Sequence, residues 1–176
     1  MRETTLLPSQ LVLPLFVRQI AAGGPVTITD RRMTRFIMSV ERAVDLMFVA
    51  LELAHGGEVF VLKMPSVRIE DLAEVLLDHT LLPGVRNDIS VEEIGAKPGE
   101  KLSEELVTDD ELARCLETDA LFIVVPQYRQ LIVGAETFEY PGARPAQDGA
   151  RSDRVAPMTR DELYRMLVEC DVLEPA

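Results

Sequence analysis

Three arginines lie close together in a chain that is otherwise strongly acidic. Arg31, Arg32 and Arg35 fall within five residues of one another, in the stretch GGPVTITDRRMTRF, whereas the 176-residue chain has a formal net charge of −12. Clustered guanidinium groups require either carboxylate neighbours or an anionic ligand, and their planar fork matches a phosphate group. The cluster is therefore a candidate anion-binding site. The alternative for Arg35 is an ion pair with a nearby acid such as Asp30.

The composition is that of a soluble globular protein and argues against several functions. Hydrophobic residues make up 47% of the chain and charged residues 27%, which is ordinary for one domain with a core. Nucleic-acid binding requires a broad basic surface, whereas this chain has 30 acidic and 18 basic residues. No apolar run approaches membrane-spanning length, and residues 1–10 lack the pattern of a secretion signal. We therefore expect a cytoplasmic protein of bacterial type.

Cysteine and histidine are too scattered to predict a metal site. Cys115 and Cys170 each fall on the apolar side of a predicted helix, which indicates two buried, reduced thiols. His55 and His79 lie near predicted helix ends, with no cysteine or second histidine at ligand spacing. We expect no metal in this chain.

The motifs of common nucleotide-dependent enzymes are also absent from the sequence. No GxGxxG follows a predicted strand, and there is neither a Walker A sequence nor a GxSxG elbow. None of the three tyrosines is followed by a lysine four residues later. The residues by themselves therefore predict neither a catalytic set nor a cofactor site.

Hydrophobic periodicity predicts helices that alternate with short strands. The predicted helices cover residues 11–22, 40–55, 69–79, 109–117 and 160–170, and the predicted strands cover residues 26–29, 58–63, 89–94 and 121–126. Capping boxes mark the starts of the last two helices, Thr108 with Glu111 and Thr159 with Glu162. Residues 142–157 lack periodicity and are predicted to form a mobile loop. The predicted fold class is a small mixed α/β body without a complete Rossmann sheet.

Four blocks of sequence, taken together, resemble the C-terminal part of bacterial polysaccharide-biosynthesis enzymes. The blocks are LPLFVRQIAAGGPVTITDRRMTRFIMSVERAVDLM, GGEVFVLKMPSVRIEDLAE, GAKPGEKLSEELVTDDE and the final segment from LFIVVP to MTRDELYRML. Their order and spacing are similar to those of nucleotide-sugar 4,6-dehydratases and epimerases of the extended short-chain dehydrogenase/reductase family. The resemblance is greatest to the UDP-N-acetylglucosamine 4,6-dehydratase type.

The resemblance implies a binding site for a UDP-sugar. It implies that Arg35 contacts the diphosphate, that Lys97 reaches the phosphates and that Glu100 hydrogen-bonds the ribose. Lys97 stands where the family usually has an arginine, so the phosphates would meet a point charge instead of a bidentate fork. Ser103 likewise stands where a histidine is common.

The resemblance also implies that the catalytic half of the enzyme is missing. In such enzymes an N-terminal Rossmann half holds NAD(P) and the catalytic tyrosine and lysine. We therefore expect an irregular lead at residues 1–10, a UDP-sugar-binding part at residues 11–126 and a C-terminal extension at residues 127–176. The chain is then not catalytic alone and is completed by a separately encoded Rossmann subunit or by a second copy.

Two alternatives stay open beside this expectation. One is a non-enzymatic interaction or dimerisation module, and the other is a truncated gene product. The apolar surface that would pack on a missing half must be exposed, covered by a partner or buried by self-association. Residues 11–20 are the predicted location of that surface.

Overall fold

Five helices and ten short strands make up the described part of the chain. The structure is a computed structural model, and it describes residues 6–7, 12–79, 89–96, 98–128 and 139–174. In chain order the elements are β1 (Leu6–Leu7), α1 (Val12–Ala21), β2 (Val26–Ile28), β3 (Thr34–Phe36), β4 (Met38–Ser39), α2 (Val40–Leu53), β5 (Val59–Leu62), β6 (Ser66–Arg68), α3 (Ile69–His79), β7 (Val91–Glu93), α4 (Asp109–Leu112), β8 (Cys115–Glu117), β9 (Leu121–Val124), β10 (Arg144–Pro145) and α5 (Arg160–Glu169).

The chain divides into two units that are interleaved along the sequence. The first contains Met1–Val40, Met64–Glu104 and Ser152–Ala176, and the second contains Glu41–Lys63 and Glu105–Arg151. The sequence, by contrast, predicts consecutive regions at residues 1–10, 11–126 and 127–176. Of the lead at residues 1–10, the structure describes Leu6 and Leu7, which form β1.

The first unit consists of three helices packed on three pairs of short strands. Strand β1 pairs antiparallel with β4, β2 pairs parallel with β7, and β3 pairs antiparallel with β6. Helix α3 packs against α1, β2 and α5. Their inward-facing apolar side chains form one core, because helices with residues at i, i+3 and i+4 spacing bury one stripe each. The fully buried members of this core include Leu13, Phe16, Ile20, Ile28, Leu72 and Leu76.

The turn between α1 and β2 requires glycine at residue 24. Gly23 and Gly24 both have positive φ angles, +89° and +78°. A Cβ atom on Gly24 would also lie 2.7 Å from Cγ2 of Ile89. Only glycine satisfies both constraints without strain. This turn ends α1 and leads into the strand that precedes the arginine cluster.

The second unit is organised around one antiparallel sheet. Its strand order is β10-β8-β9-β5, and β5 pairs with β9 from Val59 opposite Val124 to Leu62 opposite Leu121. All four residues of β9 are buried. Val107, Cys115, Phe122 and Val124 form a buried apolar cluster. Helix α2, apart from its first residue, and the one-turn helix α4 belong to this unit.

The structure confirms the mixed α/β class and most of the predicted elements. Helix α3 has the predicted bounds, and α1, α2 and α5 differ from prediction by one or two residues at their ends. The predicted strands at residues 26–29, 58–63, 89–94 and 121–126 appear as β2, β5, β7 and β9. The described residues contain several small sheets and no complete Rossmann sheet.

The prediction of a helix at residues 109–117 is wrong beyond Leu112. Cys115–Glu117 form strand β8, which pairs with β9 on one side and β10 on the other. Cys115 is therefore buried on a strand and not on a helix. Pairing with two partners distant in sequence outweighs a local helical pattern, because strand assignment depends on context more than helix propensity does.

A further expectation, about burial, differs from the structure. Strand β5 is predicted to be largely buried, yet Val59 is 54% exposed and the other three residues are half-buried. Residues 142–157, predicted to be a mobile loop, contain β10 and the buried Ser152. Their mobility stays a prediction.

Helix α2 exposes more apolar side chain than α1, where the sequence predicts the exposed apolar surface. Residues 11–20 are predicted to expose an apolar surface. Leu15 and Val17 of α1 are 37% and 46% exposed, whereas Leu13, Phe16 and Ile20 are each at most 2% exposed. Helix α2 exposes a larger group of apolar side chains. They are Val44, Met47, Phe48 and Leu51, with exposed fractions of 42%, 63%, 63% and 71%.

Candidate functional site

Strand β3 fixes the position of Arg35. Arg35 lies opposite Val67 in the antiparallel pair with β6, between the buried residues Thr34 and Phe36. Because side chains alternate along a strand, its neighbours point into the core while Arg35 points to the other face. Its side chain is nevertheless only 14% exposed. The guanidinium group is thus held in place.

The guanidinium group of Arg35 binds the segment that follows β7 and contains the sequence KPGEKLSE. This segment, residues 97–104, is called the KPGEK block. Nη2 of Arg35 donates to the backbone carbonyl of Lys101 at 2.8 Å, and its Nη1 donates to the carbonyls of Thr34 at 2.7 Å and Leu102 at 3.3 Å. The backbone N–H of Thr34 also donates to the carbonyl of Leu102 at 2.9 Å. The fold therefore brings together two sequence blocks that are more than 60 residues apart in the chain.

The charge of Arg35 is balanced weakly. Its Nε lies 3.7 Å from Oε1 of Glu104, at the outer limit for an ion pair. Its hydrogen-bond acceptors at Thr34, Lys101 and Leu102 are neutral carbonyls. The ion pair between Arg35 and Asp30, offered by the sequence as an alternative, does not occur, because Asp30 binds Arg32. An arginine held by carbonyls can still attract an anion.

Glu100 is attached to the same unit through β2. The hydroxyl of Thr29, directly after β2, donates to Oε1 of Glu100 at 3.0 Å. Glu100 is exposed and ends the turn at residues 98–100. The structure thus places Glu100 one residue before the carbonyl that Arg35 binds. Lys97, the third predicted ligand, lies outside the described residues.

The other two arginines of the cluster are paired with acids. Arg32 donates from Nη2 to Asp30 Oδ2 at 2.6 Å, and this contact together with the backbone N–H of Arg32 lowers the pKa of Asp30 from 3.8 to about 2. Arg31 pairs with Glu70 and lies 3.7 Å from Glu93. Both arginines are exposed, as expected for charges in a turn, and their positive field is compensated locally.

A buried polar cluster that the sequence did not predict forms hydrogen bonds with β3. Ser152 is 1% exposed, and its hydroxyl bonds with Thr34 Oγ1 at 2.8 Å and accepts from the backbone N–H of Glu104 at 2.8 Å. Ser66 Oγ donates to the carbonyl of Ser152 at 2.6 Å. Ser152 thereby links β3, β6 and the end of the KPGEK block. No local pattern around a lone serine indicates such a role.

An open cavity in the second unit is a weaker candidate. It has a volume of about 550 Å³ and is lined by Asp109, Arg114, Cys115 and Pro145 among others. Arg114 is engaged by the carbonyl of Val125 at 2.6 Å, and burial raises the pKa of the Cys115 thiol. A thiol with a raised pKa is a poor nucleophile and a poor metal ligand.

Metal-ligating side chains are not clustered in the described part of the chain. Among them, no three His, Cys, Asp or Glu side chains are grouped so that they could hold a metal ion. Within the same ranges, no helix combines the length and the apolar character needed to cross a membrane.

Comparison with known proteins assigns the chain to a family. Residues 7–126 match the family described as "Polysaccharide biosynthesis protein". The match covers more than half of the sequence. The chain therefore belongs to this polysaccharide-biosynthesis family, and the resemblance found in the sequence is confirmed. Among the relatives that the chain matches, several are named UDP-glucose 4-epimerase and one is named capsular polysaccharide biosynthesis protein CapD.

Individual relatives are all considerably longer than the matched segment. An uncharacterized membrane protein of Methanocaldococcus jannaschii is 51% identical over 118 residues, which are 65% of this chain and 35% of the relative. A UDP-glucose 4-epimerase of Rickettsia massiliae is 44% identical over 103 residues, 58% of this chain and 29% of the relative. The solved structure of Pen from Bacillus thuringiensis superposes with a TM-score of 0.74 at 36% identity, over 92% of this chain and 46% of that protein. The chain thus spans about a third of these two sequence relatives.

Proposed function

We propose that this chain is the UDP-sugar-binding C-terminal portion of a polysaccharide-biosynthesis nucleotide-sugar 4,6-dehydratase, and that it is not catalytic alone. The observation that carries the proposal is the contact between Arg35 and the KPGEK block. This contact unites, in one unit, two residues that the family resemblance assigns to a UDP-sugar: Arg35 for the diphosphate and Glu100 for the ribose.

The chemistry of the two side chains suits the two halves of a nucleotide diphosphate. The guanidinium group of Arg35 carries a permanent charge in a rigid plane, as recognition of phosphate oxygens requires. The carboxylate of Glu100 can accept hydrogen bonds from vicinal hydroxyl groups, which a ribose provides. In this proposal Lys97 adds a second positive charge at the phosphates.

Catalysis requires groups that the proposal assigns to another polypeptide segment. NAD(P) and the tyrosine and lysine of the reaction belong to the Rossmann half of the family, supplied by a separate subunit. This chain contributes binding and orientation of the UDP-sugar, which accounts for a site without a catalytic set. In this proposal the chain binds its nucleotide sugar in the cytoplasm.

Isothermal titration calorimetry of the purified chain tests the proposal. UDP and UDP-N-acetylglucosamine should bind, and uridine, which has no phosphate, should bind far more weakly. Arg35→Ala should weaken UDP binding by about tenfold or more, since a charged hydrogen bond contributes roughly 1.5–3 kcal/mol. Arg32→Ala is the matched control, because Arg32 is exposed and paired with Asp30. Absence of heat with both ligands, or equal effects of the two substitutions, would refute the proposal.

The exposed apolar face of α2 favours a second candidate function. A chain that keeps the fold but uses this face to bind a partner or to dimerise is a non-enzymatic interaction module. The two functions are separable, because an interaction module predicts association without any heat in the UDP titration.

A further inference from the structure

Helix α2 carries one broad apolar surface, of which the inner face is covered and the outer face is exposed. Ala43 and Leu46 form the inner face and are 5% and 2% exposed. Met47, Phe48 and Leu51 form the outer face and are each more than 60% exposed. At about 100° per residue, the centres of the inner and outer faces lie roughly 115° apart around the helix axis. The apolar surface of α2 is therefore wider than the stripe that is covered in the structure.

The outer face is distinct from the charged side of the same helix. Asp45, Glu52 and Val49 lie on a third side of the helix. With Val40 set at 0° and about 100° per residue, they fall between about 120° and about 180°, whereas the outer face is centred at about 25°. Val49 is 40% exposed and is therefore an isolated apolar residue among charges. Singly exposed apolar residues are ordinary on protein surfaces, whereas a contiguous group such as Val44, Met47, Phe48 and Leu51 marks an interaction site.

Strand β5, in the same segment of chain, presents a second uncovered apolar feature. It is the last strand of its sheet and pairs with β9 on one side; within the described ranges no strand occupies its other side. Its first residue, Val59, is 54% exposed. A short apolar strand at an open sheet edge can accept a further strand. An uncovered helix face and an open strand edge together are what remains when a layer of an α/β fold is missing.

We infer that the outer face of α2, with the edge of β5, is the docking surface for the part of the family fold that this chain does not span. Both features lie inside residues 7–126, the part of the chain that matches the family. The B. thuringiensis structure superposes on 92% of this chain, but 54% of that protein lies outside the match. That extra chain is the occupant. A second copy is disfavoured because two chains of net charge −12 repel each other.

This inference rests on the proposed function and identifies the surface to which the missing part of the enzyme binds. The test uses the full chain with an affinity tag, co-expressed with the part of the B. thuringiensis protein that lies outside the match. The readouts are recovery of that fragment in the soluble fraction and a one-to-one complex by size-exclusion chromatography with light scattering. The variants are Phe48→Glu on the outer face and Val49→Glu on the charged side, which introduce the same group at adjacent residues.

The expected result is a soluble complex with the unmodified chain, weakened at least about tenfold by Phe48→Glu and retained by Val49→Glu. Both variants should fold, because each substitution is at an exposed residue. A fragment that stays insoluble with the chain present, or a complex that responds equally to the two variants, overturns the inference. A dimer of the chain alone that Phe48→Glu dissociates also overturns it, because a second copy then covers the face.

Calorimetry with UDP separates this inference from the proposed function. Phe48 lies on α2 in the second unit, whereas Arg35 lies in the first, so Phe48→Glu should leave UDP binding unchanged. If the unmodified chain does not bind UDP, the proposed function is refuted. The docking experiment then still decides the role of α2.

Discussion

Nη2 of Arg35 donates a hydrogen bond to the backbone carbonyl of Lys101 at 2.8 Å, and this contact joins the arginine cluster to the KPGEK block. The same guanidinium group also reaches the carbonyls of Thr34 and Leu102. A single side chain thereby holds a surface segment against β3. Arg35 accordingly has a structural role that is independent of any ligand.

Arg35→Lys should weaken both the fold and the UDP site. A lysine keeps the charge but cannot present donors in the planar fork that spans three carbonyls. We expect the free energy of unfolding to fall by about 1–3 kcal/mol, measured by urea denaturation. Arg32→Lys serves as control and should have little effect, because Arg32 is 77% exposed. Equal stability of the Arg35→Lys variant and the unmodified chain would show that the carbonyl contacts contribute nothing.

Ser152→Ala should destabilise the first unit although it removes a single oxygen atom. The substitution leaves the Thr34 hydroxyl and the N–H of Glu104 without the partner they have in the core. An unsatisfied buried polar group costs about 1–3 kcal/mol. Ser90→Ala removes an exposed hydroxyl and should change stability by about 0.5 kcal/mol or less. Similar unfolding midpoints for both variants would contradict the assigned role of Ser152.

Asp30 should titrate at unusually low pH because Arg32 binds its carboxylate. Its pKa of about 2, against 3.8 ordinarily, means that the folded state favours the charged form. This contribution to stability is therefore complete above about pH 4 and is lost as the pH falls toward 2. In Arg32→Ala the pKa should rise toward 3.8, with part of the shift kept by the backbone N–H of residue 32. Carboxyl chemical shifts in an NMR titration measure this, and an unchanged midpoint would exclude the pair.

Thr159→Ala should loosen the start of α5. The hydroxyl of Thr159 accepts from the N–H of Glu162, and the Glu162 carboxylate accepts from the N–H of Thr159 at 2.8 Å. Loss of a helix N-cap costs about 1 kcal/mol. Thr159→Ser keeps the hydroxyl and should retain most of the stability. Hydrogen exchange at the amide of Glu162 reports the change locally, and equal exchange in the two variants would contradict the cap.

The local signals in the sequence were sufficient for the elements whose ends are set by neighbouring residues. Helix α3 follows from its apolar stripe and acidic first turn, and α5 follows from its capping box. Strand β8 was missed because its stability comes from β9 and β10, which no local pattern reveals. Ser152 was missed for the same reason, since its partners Thr34 and Ser66 are about 90–120 residues away.

The sequence by itself determined the family, the acidic character and the identity of Arg35 and Glu100 as candidate ligands, because these depend on residue types in a fixed order. Only the tertiary structure decided which apolar helix face is covered. Helices α1 and α2 have similar apolar periodicity. The stripe of α1 that contains Leu13, Phe16 and Ile20 is buried, and α1 contacts α3 and β2, whereas the outer face of α2 is exposed. Periodicity shows that a face is apolar, and burial depends on whether another element is present to cover it.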